Sequence, residues 1–106
     1  MATLKLGLLL STPPSHPSVE TVVQLAQAAL RRGVEVYLYL IDEGVKTATD
    51  QRYLSLIDAG VKMSVCAYSC QQYSVPTATV DSRTSLSGLV VLSGIIDACD
   101  RFLAFT

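Results

Sequence analysis

Short apolar runs alternate along this chain with stretches whose apolar residues return every three or four positions. No other feature limits the fold as much. Leu4-Lys5-Leu6-Gly7-Leu8-Leu9-Leu10 is an apolar run bounded by turn residues and reads as a buried strand. Ser11 to Ser18 holds three prolines, which lack backbone donors and push their predecessors away from helical geometry, so it reads as a loop. From Val19 the period becomes helical: Val19, Val22, Val23, Ala26, Ala29 and Leu30 share one face, and Glu20, Gln24, Gln27 and Arg31 the other. Ser18 is placed to cap this helix and Gly33 to end it. Val34 to Ile41 is a second strand, broken by Asp42-Glu43-Gly44. Asp50 caps a second helix carrying Tyr53, Leu54 and Ile57 and closing at Ala59-Gly60. Val61 to Val65 is a third strand that delivers Cys66 at its carboxyl end. A short helix over Ala67 to Tyr73 follows, then an extended crossing segment, Val75 to Val80, and a loop from Asp81 to Ser87. Leu86 to Ala98 carries a last helical pattern, and Arg101 to Phe105 a closing strand. Strands alternating with helices predict βαβ units with right-handed crossovers. The expected fold is α/β: a single-domain three-layer sandwich over residues 1–106, its mostly parallel sheet flanked by helices.

Composition narrows the possible partners. Half of the residues are hydrophobic and 16% are charged, which is more apolar than a monomer of this size needs to cover its surface with polar groups. Subunit contacts, and hence a homo-oligomer, are expected. The net charge of −1 and the absence of a basic stripe argue against nucleic acid. Arg31 and Arg32, the adjacent basic pair, sit where a helix ends and complement its dipole. No apolar run approaches the ~20 residues needed to cross a bilayer, and no secretory signal is expected at the N-terminus. Three cysteines in no disulfide framework fit reduced thiols and a soluble, cytoplasmic location.

In an open parallel sheet, sites form beyond the carboxyl ends of the strands. That edge gathers Cys66, Asp42, His16, Ser11 and Thr12. Cys66 ends a strand just before a helix, so its sulfur should face unpaired helix N–H groups that favour the thiolate and lower its pKa below ~8.5. This predicts an exposed, reactive thiol; the competing reading is a buried cysteine acting as a small hydrophobe. Cys70 lies one helical turn on, where it could form a transient disulfide with Cys66 or exchange sulfur with it. Two thiols with three residues between them, a single histidine and no second pair fall short of a zinc site, so no metal is expected. Cys99, at the end of the last helix, reads as a packed core thiol. The Ser11–Ser18 loop lacks the glycines a phosphate cradle needs, and no cofactor is expected.

The segment Gly60-Val61-Lys62-Met63-Ser64-Val65-Cys66-Ala67-Tyr68-Ser69-Cys70-Gln71-Gln72-Tyr73-Ser74-Val75 resembles the strand–cysteine–short-helix segment of the DsrE/DsrF-like family of sulfur-relay proteins, which includes Tus sulfur carriers and YchN-type small hexamers. Ser87-Gly88-Leu89-Val90-Val91-Leu92 and Asp100-Arg101-Phe102-Leu103-Ala104-Phe105 extend the resemblance across the chain. Tyr73-Ser74 stands where the family often has Arg-Gly. The resemblance implies a persulfide carrier or sulfurtransferase, with sulfur on Cys66 and Cys70 as an optional second thiol. It also implies assembly as trimers or hexamers, and protein sulfur donors and acceptors. Two other functions fit the residues: a non-catalytic oligomeric or regulatory module with structural cysteines, and a small-molecule-binding module using the edge formed by Ser11, Thr12, His16 and Asp42.

Overall fold

The computed structural model describes residues 3–106. Its elements run β1 (Lys5–Leu10), α1 (Ser18–Arg31), β2 (Glu35–Leu40), a 3₁₀ segment (Asp42–Thr49), α2 (Gln51–Asp58), β3 (Lys62–Cys66), α3 (Ala67–Gln72), β4 (Ser85–Ser87), α4 (Leu89–Ala98) and β5 (Arg101–Phe105). The five strands stand in the order β4-β3-β2-β1-β5, and every neighbouring pair is parallel. The sheet is thus wholly parallel, where the sequence predicts mostly parallel.

The register fixes what each face carries, because alternate residues of a strand point to opposite sides and partners in register share a side. One face presents Leu8, Leu38 and Met63 in one row and Leu10, Leu40 and Val65 in the next. These pack with Val19, Val22, Val23 and Ala26 of α1, Tyr53, Leu56 and Ile57 of α2, and Val45 and Ala48 of the 3₁₀ segment. Tyr53 is fully buried, and its hydroxyl donates to the Val19 carbonyl at 2.9 Å, tying α2 to α1. The opposite face presents Gly7, Tyr37 and Lys62, then Leu9, Tyr39, Ser64 and Ser85, then Cys66 and Ser87. Its smaller apolar cluster joins Tyr39 and Cys66 to Ile95, the buried residue of α4. One face is largely aliphatic; the other mixes small polar residues with Leu9, Tyr37 and Tyr39 beneath a single helix.

The structure corrects several local readings. Ser18 is the first residue of α1 and not its cap; Pro17 holds the cap position without a side-chain bond, and the Ser18 N–H donates to His16 Nδ1 at 3.1 Å. Gly33 does end the helix, at φ 74°. Asp50 does cap α2, accepting from the Arg52 N–H at 2.8 Å. The break after β2 is an eight-residue 3₁₀ helix. The crossing segment contains a 3₁₀ turn, Thr77–Thr79. Within the stretch read as loop, Ser85–Ser87 forms β4, so the last helix starts at Leu89 and not at Leu86. A three-residue Ser-Leu-Ser strand is too short and too polar to show a period. It is held from outside the ladder by Arg83, which bonds Asp81 and also Asp58 of α2. Among the described residues, no helix is long and apolar enough to cross a membrane.

Candidate functional site

Cys66 is the last residue of β3 and the residue before α3, with φ −71° and ψ 115°. The strand fixes its backbone while the helix turns the amides of Tyr68 and Ser69 toward it. The expectation of an exposed thiol fails: Cys66 is 5% exposed, covered by the cluster that α4 completes. The expectation of a lowered pKa holds. Burial is the largest influence and pushes the thiol up, but hydrogen bonds from the Ser69 hydroxyl, the Ser69 and Tyr68 N–H groups and the Tyr39 hydroxyl outweigh it. The neutral thiol makes no capping bond; the anion is what these donors favour.

Sequence reading missed two of those donors, the Ser69 and Tyr39 hydroxyls. Ser69 is buried, and its oxygen accepts from the Asp42 N–H at 2.9 Å. With that acceptor site filled, the hydroxyl proton is left to point at sulfur. Asp42 adopts φ 51°, the left-handed conformation that Asp tolerates better than most residues. Its backbone therefore reaches the site while its side chain is exposed. Tyr39 is fully buried on β2, and its hydroxyl lies 3.1 Å from the Gly88 carbonyl and 3.4 Å from that of Ser87. The ring therefore crosses the end of β3 to reach the β4–α4 junction. Burial raises the Tyr39 pKa and the neighbouring Cys66 adds to the rise, outweighing the lowering effect of the Ser87 side chain, so the phenol is a neutral donor. Both residues lay in plain view as hydroxyls, but only the pairing of β2, β3 and β4 brings them to the sulfur.

The other expected site residues divide. Cys70 is fully buried and packs in the main aliphatic cluster, not in the cluster of Cys66. Burial, then the nearby Cys66, pushes its thiol up. Cys99 packs against the Cys66 cluster, and burial raises its pKa as well. Ser11 is half-buried with its hydroxyl 3.5 Å from the Phe105 carbonyl. Thr12 is buried, and its hydroxyl has no partner. His16 is exposed and spends Nδ1 on the start of α1. None of the hydrogen bonds these three form among the described residues reaches Cys66. Ser74 takes φ 57°, a conformation natural to glycine. Lys46 places its ammonium 5.3 Å from the centre of the Tyr73 ring. Among the described residues, no group of three or more His, Cys, Asp or Glu side chains could hold a metal ion.

The arrangement can stabilise a thiolate in a sheltered, largely apolar niche, which suits attack on a sulfane sulfur and protection of the adduct. Comparison with known proteins points to one family. The DsrE/DsrF-like family matches residues 5–105. The ychN protein from E. coli superimposes with a TM-score of 0.84 at 16% identity, over 98% of this chain and 100% of that one. The conserved protein of unknown function BT1422 from Bacteroides thetaiotaomicron gives 0.79 at 16% identity, over 95% and 94%. MTH1491 from Methanobacterium thermoautotrophicum, also of unknown function, gives 0.79 at 10% identity, over 96% and 99%. No curated protein matches the sequence.

Proposed function

The chain belongs to the DsrE/DsrF-like family, and from that premise we propose that it is a sulfur-relay protein, a persulfide carrier or sulfurtransferase working through Cys66. The supporting observation is the convergence of the Ser69 hydroxyl, two backbone amides and the Tyr39 hydroxyl on one thiol whose pKa they lower. In the forward step the Cys66 thiolate attacks the outer sulfur of a donor persulfide. A bond forms between that sulfur and Cys66, the donor's S–S bond breaks, and the donor leaves as a thiolate. An acceptor thiolate then repeats the exchange on Cys66. No net oxidation occurs and no cofactor is consumed.

Loading tests this directly. Exposure to inorganic tetrasulfide should add one sulfur, about 32 Da, to the chain. The rate should follow the thiolate fraction, rising with pH and levelling off at lower pH than it would for a free cysteine. Ser69→Ala removes a donor to the anion and should move that rise to higher pH. Absence of any adduct across the pH range would sink the persulfide reading.

The same family reading extends to assembly. The outer side of α4 carries Leu89, Val90, Val91 and Ile96, and Val90 is 87% exposed. Apolar side chains on a helix that also roofs the site are best covered by further copies of the chain. Light scattering should report a homo-oligomer at micromolar concentration, a trimer or hexamer, and Val90→Glu should shift it toward the monomer. A monomeric wild type would refute the assembly.

A further inference from the structure

Among the described residues, the Ser87 hydroxyl is shut off from solvent and has no close hydrogen-bond partner, with only a weaker interaction with the Tyr39 hydroxyl. Ser87 also stands directly opposite Cys66, its register partner at the end of the β3–β4 ladder. Parallel strands run about 4.8 Å apart and partners point to the same face, so this hydroxyl is the neighbour of the reactive sulfur. The groups that favour the Cys66 thiolate come from α3 and from Tyr39; Ser87, on the β4 side, is not among them. While Cys66 is a neutral thiol, the single Tyr39 proton is shared between the Gly88 and Ser87 carbonyls, at 3.1 and 3.4 Å, which braces the backbone that carries the hydroxyl. That proton turns to sulfur when the thiolate forms.

The geometry points to Ser87 as the binding group for the outer sulfur of a Cys66 persulfide, a role that rests on the persulfide reading above. Converting the thiolate to a persulfide moves the negative charge onto a sulfur about 2 Å beyond Sγ. Donors arranged around Sγ no longer sit over the charge. A hydroxyl can rotate to donate to an anion, and Ser87 gives up only its weak interaction with the Tyr39 hydroxyl in doing so. Ile95 and Leu92 pack over the Cys66 cluster, so a hydrogen bond formed there faces little competition from water. The resting site therefore holds in reserve a donor suited to its loaded form.

Equilibrium loading isolates this role. In a mixture of glutathione persulfide and glutathione at neutral pH, the Cys66 thiolate takes the outer sulfur and the glutathione thiolate leaves, picking up a proton. Intact mass gives the loaded fraction and hence the exchange constant. Ser87→Ala should lower that constant about tenfold, the weight of a charge-assisted hydrogen bond. Its rate of alkylation by iodoacetamide, which reads only the unloaded thiolate, should change far less than the exchange constant. Ser87→Thr keeps the hydroxyl and should restore loading. A Ser87→Ala protein that loads like wild type overturns the assignment and leaves the persulfide reading intact. Loading and alkylation falling together would also overturn it, since general damage to the site would then be the cause. A wild type that never loads defeats both.

Discussion

Replacing Cys66 with serine should abolish sulfur uptake, leaving no 32 Da adduct after exposure to tetrasulfide. The serine hydroxyl nearly matches the thiol in size, so α4 and Tyr39 can keep their places around it. It has no populated anion near neutral pH, however, and the four donors that favour a thiolate have no charge to act on. Cys70→Ala should behave differently and keep the adduct. Cys70 is fully buried in the aliphatic cluster, and its thiol is held protonated by burial. It therefore neither competes for the donor nor is needed by it. Intact mass, with thermal melts to confirm folding, separates the variants. A Cys66→Ser protein that folds normally and loads as well as wild type would remove this residue from the chemistry.

Gly44→Ala should be the most damaging substitution to stability outside the aliphatic core. A Cβ at this position would run into the Leu10 carbonyl oxygen, lie 2.8 Å from the Leu10 carbonyl carbon and 3.3 Å from Ser11 Cα. All three are backbone atoms, so no side chain can swing aside. The 3₁₀ segment would have to lift off the end of β1, and the Asp42 N–H would leave Ser69 with it. The expected loss is about 3 kcal/mol, a drop in Tm of roughly 12 to 24 °C. Gly7→Ala is the control. Its Cβ would meet Phe102 Cδ2 at 2.6 Å and Cys99 Sγ at 3.1 Å, but both belong to side chains that can turn, so the loss should be clearly smaller. A Gly44→Ala Tm within a few degrees of wild type would contradict this account.

Sequence reading recovered the parts of the fold governed by period. β1, β2, β3, α1, α2 and β5 follow from apolar spacing, Asp50 and Gly33, because each element buries a face long enough to leave a pattern. β4 left none: three residues, two of them serine, are placed by their partner strand and by Arg83. The site divides in the same way. Cys66 was legible because it sits at a strand–helix boundary, a local feature. Ser69 was hidden, since its role depends on an Asp42 amide 27 residues away. Tyr39 was hidden too, because its hydroxyl acts across two neighbouring strands. Depth was misjudged for one reason. A strand end usually opens to solvent, but here α4 folds back and sets Ile95 over the thiol.

The unequal faces of the sheet also bear on how such a protein can change over generations. The residues that hold it together, from Leu8 to Val65, lie beneath α1 and α2, while Cys66, Ser64, Ser85 and Ser87 lie on the other side. Exchanging one small polar residue for another on that second side removes little cohesion. A lineage can therefore alter the surroundings of the thiol, or abandon it, without first acquiring compensating mutations elsewhere. Inheritance of the architecture and inheritance of the Cys66 environment are under separate control.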